Sequence, residues 1–276
     1  MSENSNGLLI YNKNHLPIDS SQFEKHMHIF GSSSKGNSIY FKEPRFLIDM
    51  GFPYKKYIEY DPNFFLKIDF IFLTHEHSDH INTTTLLKVL SLYPAIRFVI
   101  STSMWEDMLM ENYARRIDQK KLIGYRTHFI FAKPMQLKNH HGLSINYIPH
   151  VTAHGPIKNC AVELSYLNIH LLYASDLDEF QANPARGTEG LPTYENEPFN
   201  ILCLEANYDE KILYEYLKKH PNSFRAKQNL RHSSEQAAWH YVDKYMAQNG
   251  LFIPLHASKM FGTLLQNNDL DKDKDD

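Results

Sequence analysis

His75-Glu76-His77-Ser78-Asp79-His80 places three imidazoles and two carboxylates in six consecutive residues. The run before it, Ile68-Asp69-Phe70-Ile71-Phe72-Leu73-Thr74, is apolar enough to read as a buried strand. The run after it, Ile81-Asn82-Thr83-Thr84-Thr85-Leu86-Leu87, reads as the entry to a helix with Asn or Thr available as its cap. The ionisable residues therefore sit on a strand-to-helix turn, where several side chains can converge on one point. Neutral imidazole and carboxylate are the groups that bind zinc-like divalent cations. The turn predicts a metal site.

Upstream of the turn the pattern is short strands and tight loops. Met27-His28-Ile29-Phe30, Ser38-Ile39-Tyr40-Phe41 and Arg45-Phe46-Leu47-Ile48-Asp49, with the turn Gly31–Asn37 between the first two, predict a β-meander. Downstream, the pattern predicts helix 82–93, strand 96–100, helix 103–121 and strands at 127–131, 143–149, 160–166 and 169–174. A Pro- and Gly-rich loop at 180–198 comes next. Then come strand 199–204, helix 208–219, a basic loop, helix 234–248 and strand 251–256. Ser233-Ser234-Glu235-Gln236 fits a capping box for the last helix. This mixture of α and β suits two packed sheets with helices outside.

The 276 residues suit one large domain over 25–262, after a polar N-terminal extension at 1–24 and before an acidic tail at 263–276 that is expected to be disordered. Hydrophobic content of 42% and charged content of 22% are those of a globular protein. No apolar run approaches the ~20 residues of a membrane span. Residues 1–7 lack the basic-then-apolar pattern of a secretory signal. Cys160 and Cys203 are too few for a disulfide framework, and each falls in a strand-like run. Together these features predict a cytoplasmic protein with buried thiols and no membrane partner.

A net charge of −3 argues against indiscriminate coating of nucleic acid but leaves local basic patches open. One is present. From Leu217 to Ser234 the chain carries Lys218, Lys219, Arg225, Lys227 and Arg231 and no Asp or Glu. Phe224 in that segment could stack on a base, but core packing is the simpler expectation for it. Most of the sixteen histidines, among them His15, His26, His28, His128, His170, His220 and His240, are scattered and need only structural or surface roles.

One turn cannot complete a two-metal site, and three later places offer further ligands. Ile148-Pro149-His150-Val151-Thr152-Ala153-His154 puts two histidines at a strand end. Leu171-Leu172-Tyr173-Ala174-Ser175-Asp176 ends an apolar strand on a carboxylate. Leu251-Phe252-Ile253-Pro254-Leu255-His256 ends another on an imidazole. This ordered set, His75-x-His77-x-Asp79-His80, a later His, a strand-end Asp and a final His, resembles the metallo-β-lactamase-fold hydrolases over about residues 26–260. Asp49 looks like that family's early strand-end Asp, which supports the metal turn. Within the superfamily the chain looks like the WalJ-like, exonuclease-related branch. The segments that carry that likeness are Gly31-Ser32-Ser33-Ser34-Lys35-Gly36-Asn37, Glu205-Ala206-Asn207 and His232-Ser233-Ser234. The chain departs from the family pattern at Asn82-Thr83, where Gly is common, and at Tyr208, where the branch tends to have His.

The resemblance implies an α+β, four-layer αββα sandwich of two mixed β-sheets with flanking helices. It also implies two divalent metal ions, with zinc expected and manganese compatible with the same ligands. His75, His77 and His154 would hold one ion, Asp79, His80 and His256 the other, and Asp176 would bridge. His154 is taken over His150 because its distance in sequence from Cys160-Ala161-Val162 fits the family spacing. Such a pair of ions, about 3.5–4 Å apart, lowers the pKa of a shared water. The implied activity is a phosphodiesterase or nuclease on DNA or RNA, with a metal-bridging hydroxide as nucleophile. Asp79 would orient that nucleophile, and His232 would act as general acid or phosphate clamp. Lys227 and Arg231 would contact the nucleic-acid or nucleotide substrate. Alternatives on the same scaffold are a phosphodiesterase of small or cyclic nucleotides with a pocket closed by the 180–198 loop, a thioester or lactam hydrolase, and a non-catalytic binding protein.

Overall fold

Two mixed sheets, one of eight strands and one of six, are built by the described residues of the computed structural model, namely 9–19, 23–109, 119–155 and 157–264. The tail from residue 265 on, and residues 110–118 of the expected helix 103–121, lie outside them. The chain divides into two compact units, one of residues 23–149 and 162–168, the other of 1–22, 150–161 and 169–276. The stretch read as a lead-in carries two short strands, β1 (Ile10–Tyr11) and β2 (Pro17–Ile18), paired antiparallel with each other.

The first of these units holds the six-stranded sheet. Its strands are β3 (Met27–Ser33), β4 (Gly36–Phe41), β5 (Phe46–Ile48), β6 (Phe70–Phe72), β7 (Arg97–Ile100) and β8 (Phe129–Phe131), in that spatial order. The expected meander is present: β3, β4 and β5 pair antiparallel. From β5 to β8 the pairing is parallel. Parallel strands need crossover connections. These carry α1 (Tyr54–Tyr60), α2 (Thr83–Leu92), α3 (Thr102–Leu109) and α4 (Gln119–Gly124). Asn82, one of the departures from the family pattern, caps α2 by accepting a hydrogen bond from the Thr85 amide at 3.0 Å. Leu86, Val89 and Leu90 of α2 enter one core with Leu47, Ile71 and Phe98 of the sheet.

The chain continues through β9 (Met135–Lys138), β10 (Ser144–His154), β11 (Ile157–Tyr166), β12 (Ile169–Ala174), β13 (Phe199–Glu205) and β14 (Met246–Leu255), giving the order β2-β1-β14-β13-β12-β11-β10-β9. β12, β13 and β14 are parallel. The β13-to-β14 connection holds α5 (Glu210–Lys219), α6 (Phe224–Asn229) and α7 (Glu235–Tyr245). Ala238, Tyr241, Val242 and Tyr245 of α7 pack with Leu202, Leu204 and Phe252 in the core of this second unit. Cys160 and Cys203 are buried on β11 and β13. Among the described residues no helix is long and apolar enough to cross a membrane.

Several local expectations are corrected. The basic segment contains the helix α6, whose apolar anchor is Ala226, packed with Tyr208, Leu213 and Phe261. Phe224 is not in the core; it is 76% exposed. The capping box is not made. Ser234 alone caps α7, through the Ala237 amide, while Glu235 turns away to the backbone amides of Thr263 and Leu264. α7 stops at Tyr245 because Met246 is already paired with Phe199 of β13, a tertiary contact that overrides helix propensity. α1 and β9 carry no strong sequence signal.

Candidate metal centre

In the first unit, parallel pairing sets Ile48 beside Phe72, so the carboxyl ends of β5 and β6 are level. The residues just past the two strands are therefore delivered to the same edge, where open α/β sheets place their ligands. After β5 comes Asp49, buried and held at φ 56°. Asp is among the few residues that tolerate this left-handed conformation. Its carboxylate accepts from the Thr74 amide (2.9 Å) and the Thr74 hydroxyl (3.0 Å), and it lies 2.7 Å from His80 Nδ1. A carboxylate cannot donate, so Nδ1 of His80 carries the proton and Nε2 presents a lone pair. That is the tautomer a metal needs.

The Thr74 hydroxyl is also 3.1 Å from His75 Nδ1, so one buried carboxylate orients two imidazoles, the second through Thr74. His75 Nε2 lies 3.1 Å from His77 Nδ1, and the rings of His75 and His80 are centred 4.1 Å apart. Asp79 Oδ2 lies 3.8 Å from His80 Nε2. The turn is clamped to the start of β4: the Asn37 amide donates to the Asp79 carbonyl (2.7 Å), and Asn37 Nδ2 lies 2.9 Å from His80 Nε2. Gly51 makes this clamp possible, since a Cβ there would fall 1.7 Å from the Asp79 carbonyl oxygen.

The second unit repeats the device. Ala174 is beside Leu204, and Glu205 is beside Leu255, so β12, β13 and β14 end together. At and just past those ends stand Asp176 at φ 52°, Glu205, and His256 at φ 57°. With His232, which lies between α6 and α7, they form a group whose donor atoms all lie within 4.8 Å of one another, close enough to hold a metal ion. Asp176 Oδ1 is 3.6 Å from both His232 Nδ1 and His256 Nε2, and 4.0 Å from His154 Nε2 at the end of β10. Glu205 Oε1 lies 2.7 Å from His232 Nδ1, while its Oε2 accepts from the Leu177 amide at 2.7 Å. Burial works against a charged His232, but the Glu205 carboxylate and its hydrogen bond, helped by Asp176, outweigh it and raise the pKa. Asn207 donates to the His256 backbone carbonyl at 2.7 Å.

Among solved structures the chain is similar to the short form of human tRNase Z (ELAC1), at 13% identity and a TM-score of 0.51 over 84% of this chain and 93% of that one. It is also similar to the metallo-β-lactamase fold protein YhfI from Bacillus subtilis, at 17% identity and a TM-score of 0.43 over 66% and 70%. This is the metallo-β-lactamase fold. A diphosphatase from the PhnP family matches at 16% identity and a TM-score of 0.49 over 86% and 87%. No family model and no curated protein matches the sequence.

On this metallo-β-lactamase fold the expected ligands fall into two sets, one per unit. His75, His77, Asp79 and His80 are together on the turn of the first. His154, Asp176 and His256 are together in the second, with His232 among them. Lys227 and Arg231 are exposed, on α6 and on the turn leading to His232. Two further residues belong to these sets although the sequence assigned them no part in the chemistry. Glu205 ends an apolar strand on a carboxylate, the same signal that marks Asp176. Asn37 carries no such signal, because its contact with the turn spans 43 positions to His80. Tyr208, where the branch tends to have His, is buried in the cluster beneath α6, and burial pushes its hydroxyl up to about 12.

Proposed function

We propose that this chain is a divalent-metal-dependent phosphodiesterase that cleaves nucleic acid. The observation that carries the reading is that both units present imidazole and carboxylate donors at the ends of parallel strands, on a fold that the sequence motif also implied. The donor set is all His, Asp and Glu with no cysteine, which suits zinc and admits manganese. Two such ions, when bound, supply a water that ionises near neutral pH and Lewis-acid stabilisation of phosphoryl oxygens.

The chain's own residues do the rest. Asp49 and Thr74 hold His80 and His75 in register for binding. Asp79 stands at the rim of the turn, where it can orient the attacking water. Glu205 grips one nitrogen of His232 and leaves the other to face substrate, as proton donor to the leaving oxygen or as a phosphate clamp. Lys227 and Arg231 lie on the approach to His232 and bear no carboxylate neighbour in sequence from Leu217 to Ser234. That charge pattern favours a phosphate backbone over a neutral lactam or thioester. The branch-level likeness to WalJ-like proteins is supported by the positions of Asn37, Glu205 and His232, each of which belongs to one of its matching segments and contacts an expected ligand or one of its neighbours.

A second reading, a phosphodiesterase for small or cyclic nucleotides, has one observation in its favour. The 180–198 loop is tied to the His154 end of β10: Arg186 bonds Asp178 (2.7 Å) and the Gly155 carbonyl, and the Glu189 amide donates to the Val151 carbonyl (2.8 Å). A loop held there would narrow the access of a polymer.

A metal-supplemented panel of end-labelled single- and double-stranded DNA and RNA with cyclic nucleotides tests both readings, using His77→Ala as control. Metal-dependent shortening of a polymer, absent in His77→Ala while circular dichroism shows it folded, is the expected result. Cleavage of cyclic nucleotides alone would transfer the assignment to the second reading. Equal turnover by wild type and His77→Ala would sink both.

A further inference from the structure

The basic segment does more than add positive charge. It exposes one aromatic ring. Phe224, at the first turn of α6, is 76% exposed, the most exposed large apolar side chain among the described residues. Leaving a phenyl ring in water is unfavourable relative to burying it, and a six-residue helix with a spare apolar side chain could have packed it inward. α6 instead buries Ala226 against Tyr208, Leu213 and Phe261. At 100° per residue, Phe224 then points away from that anchor, flanked by Arg225 and Lys227. The helix is closed at both ends by local bonds: the Ser223 hydroxyl accepts from the Ala226 amide at 3.3 Å, and Asn229 Nδ2 donates to the Arg225 carbonyl at 2.8 Å. Beyond it the chain turns twice, with Arg231 N bonded to the Gln228 carbonyl and His232 N to the Asn229 carbonyl. One short rigid element thus runs from an exposed ring, past its cations, into the imidazole that meets Asp176 and Glu205.

We infer that α6 is a single-strand binding platform: Phe224 stacks on an unpaired base, while Arg225, Lys227 and Arg231 hold the adjoining phosphates and lead the strand to His232. The inference deepens the nuclease reading and rests on it for the identity of the strand as substrate. Charge selects the occupant class, because five cations without a carboxylate from Leu217 to Ser234 stand on a chain of net charge −3. The ring narrows the class further. A duplex shields its base faces, whereas an unpaired base offers a π-face to any aromatic side chain, whatever its sequence. The platform therefore predicts preference for single strands with little sequence selectivity.

The test is fluorescence anisotropy on the full-length protein with a cleavage-resistant phosphorothioate single strand, a duplex of the same length, and inorganic polyphosphate as a base-free polyanion. Phe224→Ala is expected to weaken single-strand binding about tenfold and to leave duplex and polyphosphate binding unchanged. Phe224→Trp is expected to restore it, and Lys227→Ala with Arg231→Ala to weaken all three ligands. Phe224 is exposed, so its replacement leaves the fold intact, which circular dichroism checks. Single-strand binding by Phe224→Ala equal to wild type would overturn the platform, as would equal loss on polyphosphate. An acidic peptide that binds as tightly, and loses as much on Phe224→Ala, would overturn a nucleic-acid occupant. These titrations read no turnover. A Phe224-dependent single-strand preference in a protein that cleaves no phosphodiester would leave the platform standing and remove the nuclease reading. Cleavage without that preference would do the reverse.

Discussion

Asp49 shows how much a single buried side chain arranges. It accepts from Thr74 twice and lies against His80, and through Thr74 it reaches His75. Asparagine also tolerates positive φ, so Asp49→Asn keeps the backbone while exchanging one acceptor oxygen for a donor and removing the charge. Metal affinity is expected to fall about 10–100-fold, read by competition with a chromophoric chelator; an unchanged affinity would mean that His80 needs no such partner. Gly51 is constrained by space rather than by φ. A methyl group there meets the Asp79 carbonyl at 1.7 Å and the Asn37 amide nitrogen at 2.8 Å. Gly51→Ala must push the turn off the start of β4, at a cost of about 1–3 kcal/mol. Denaturant unfolding measures it, and a midpoint equal to wild type would show that the clamp yields freely.

At the scale of elements, the recurring unit is a parallel strand that ends on a candidate ligand or on the residue that orients one. Pairing makes neighbouring ends level, and a left-handed residue at Asp49, Asp176 and His256 turns the chain sharply there. Residues in that conformation cost about 1–3 kcal/mol each and persist where the surroundings enforce them. The β3 strand carries a different consequence, in His28. Its ring stacks on Tyr60 and meets the edge of Phe30. Burial, reinforced by the charges of Lys42 and Lys56, lowers its pKa from 6.5 to about 4. Between those values the unfolded chain binds the proton and the folded chain does not, so stability must fall as pH drops through this window. His28→Gln is expected to flatten that part of a denaturation-versus-pH curve, and an identical slope in the variant would assign the acid sensitivity to other groups.

For the molecule as a whole, metal removal is the decisive perturbation. Ions that bind the native donors and not the unfolded chain stabilise the fold by mass action, about 2.7 kcal/mol at a hundredfold excess over Kd. Chelator treatment is therefore expected to lower Tm, and zinc or manganese to restore it. A Tm indifferent to chelator and to added metal would mean that the donor sets bind no ion.

Much of this was legible in the linear chain, and the reason is covalent. The turn 75–80 gathers its candidate ligands within six residues of one another, so local spacing alone predicts that they converge. Asp176 and His256 were legible for a related reason: an apolar run that runs into an ionisable residue marks a strand end, wherever that strand goes. The same rule would have found Glu205. Tertiary structure decided what spacing cannot express. It chose which strands lie side by side, and so which ends become level. It brought Asn37 to His80 across 43 positions and left the β14 pairing to end α7 at Tyr245. It also decided the facing of α6. Both orientations of so short a helix satisfy its sequence, and the packing of Ala226 with Tyr208, Leu213 and Phe261 leaves Phe224 outward.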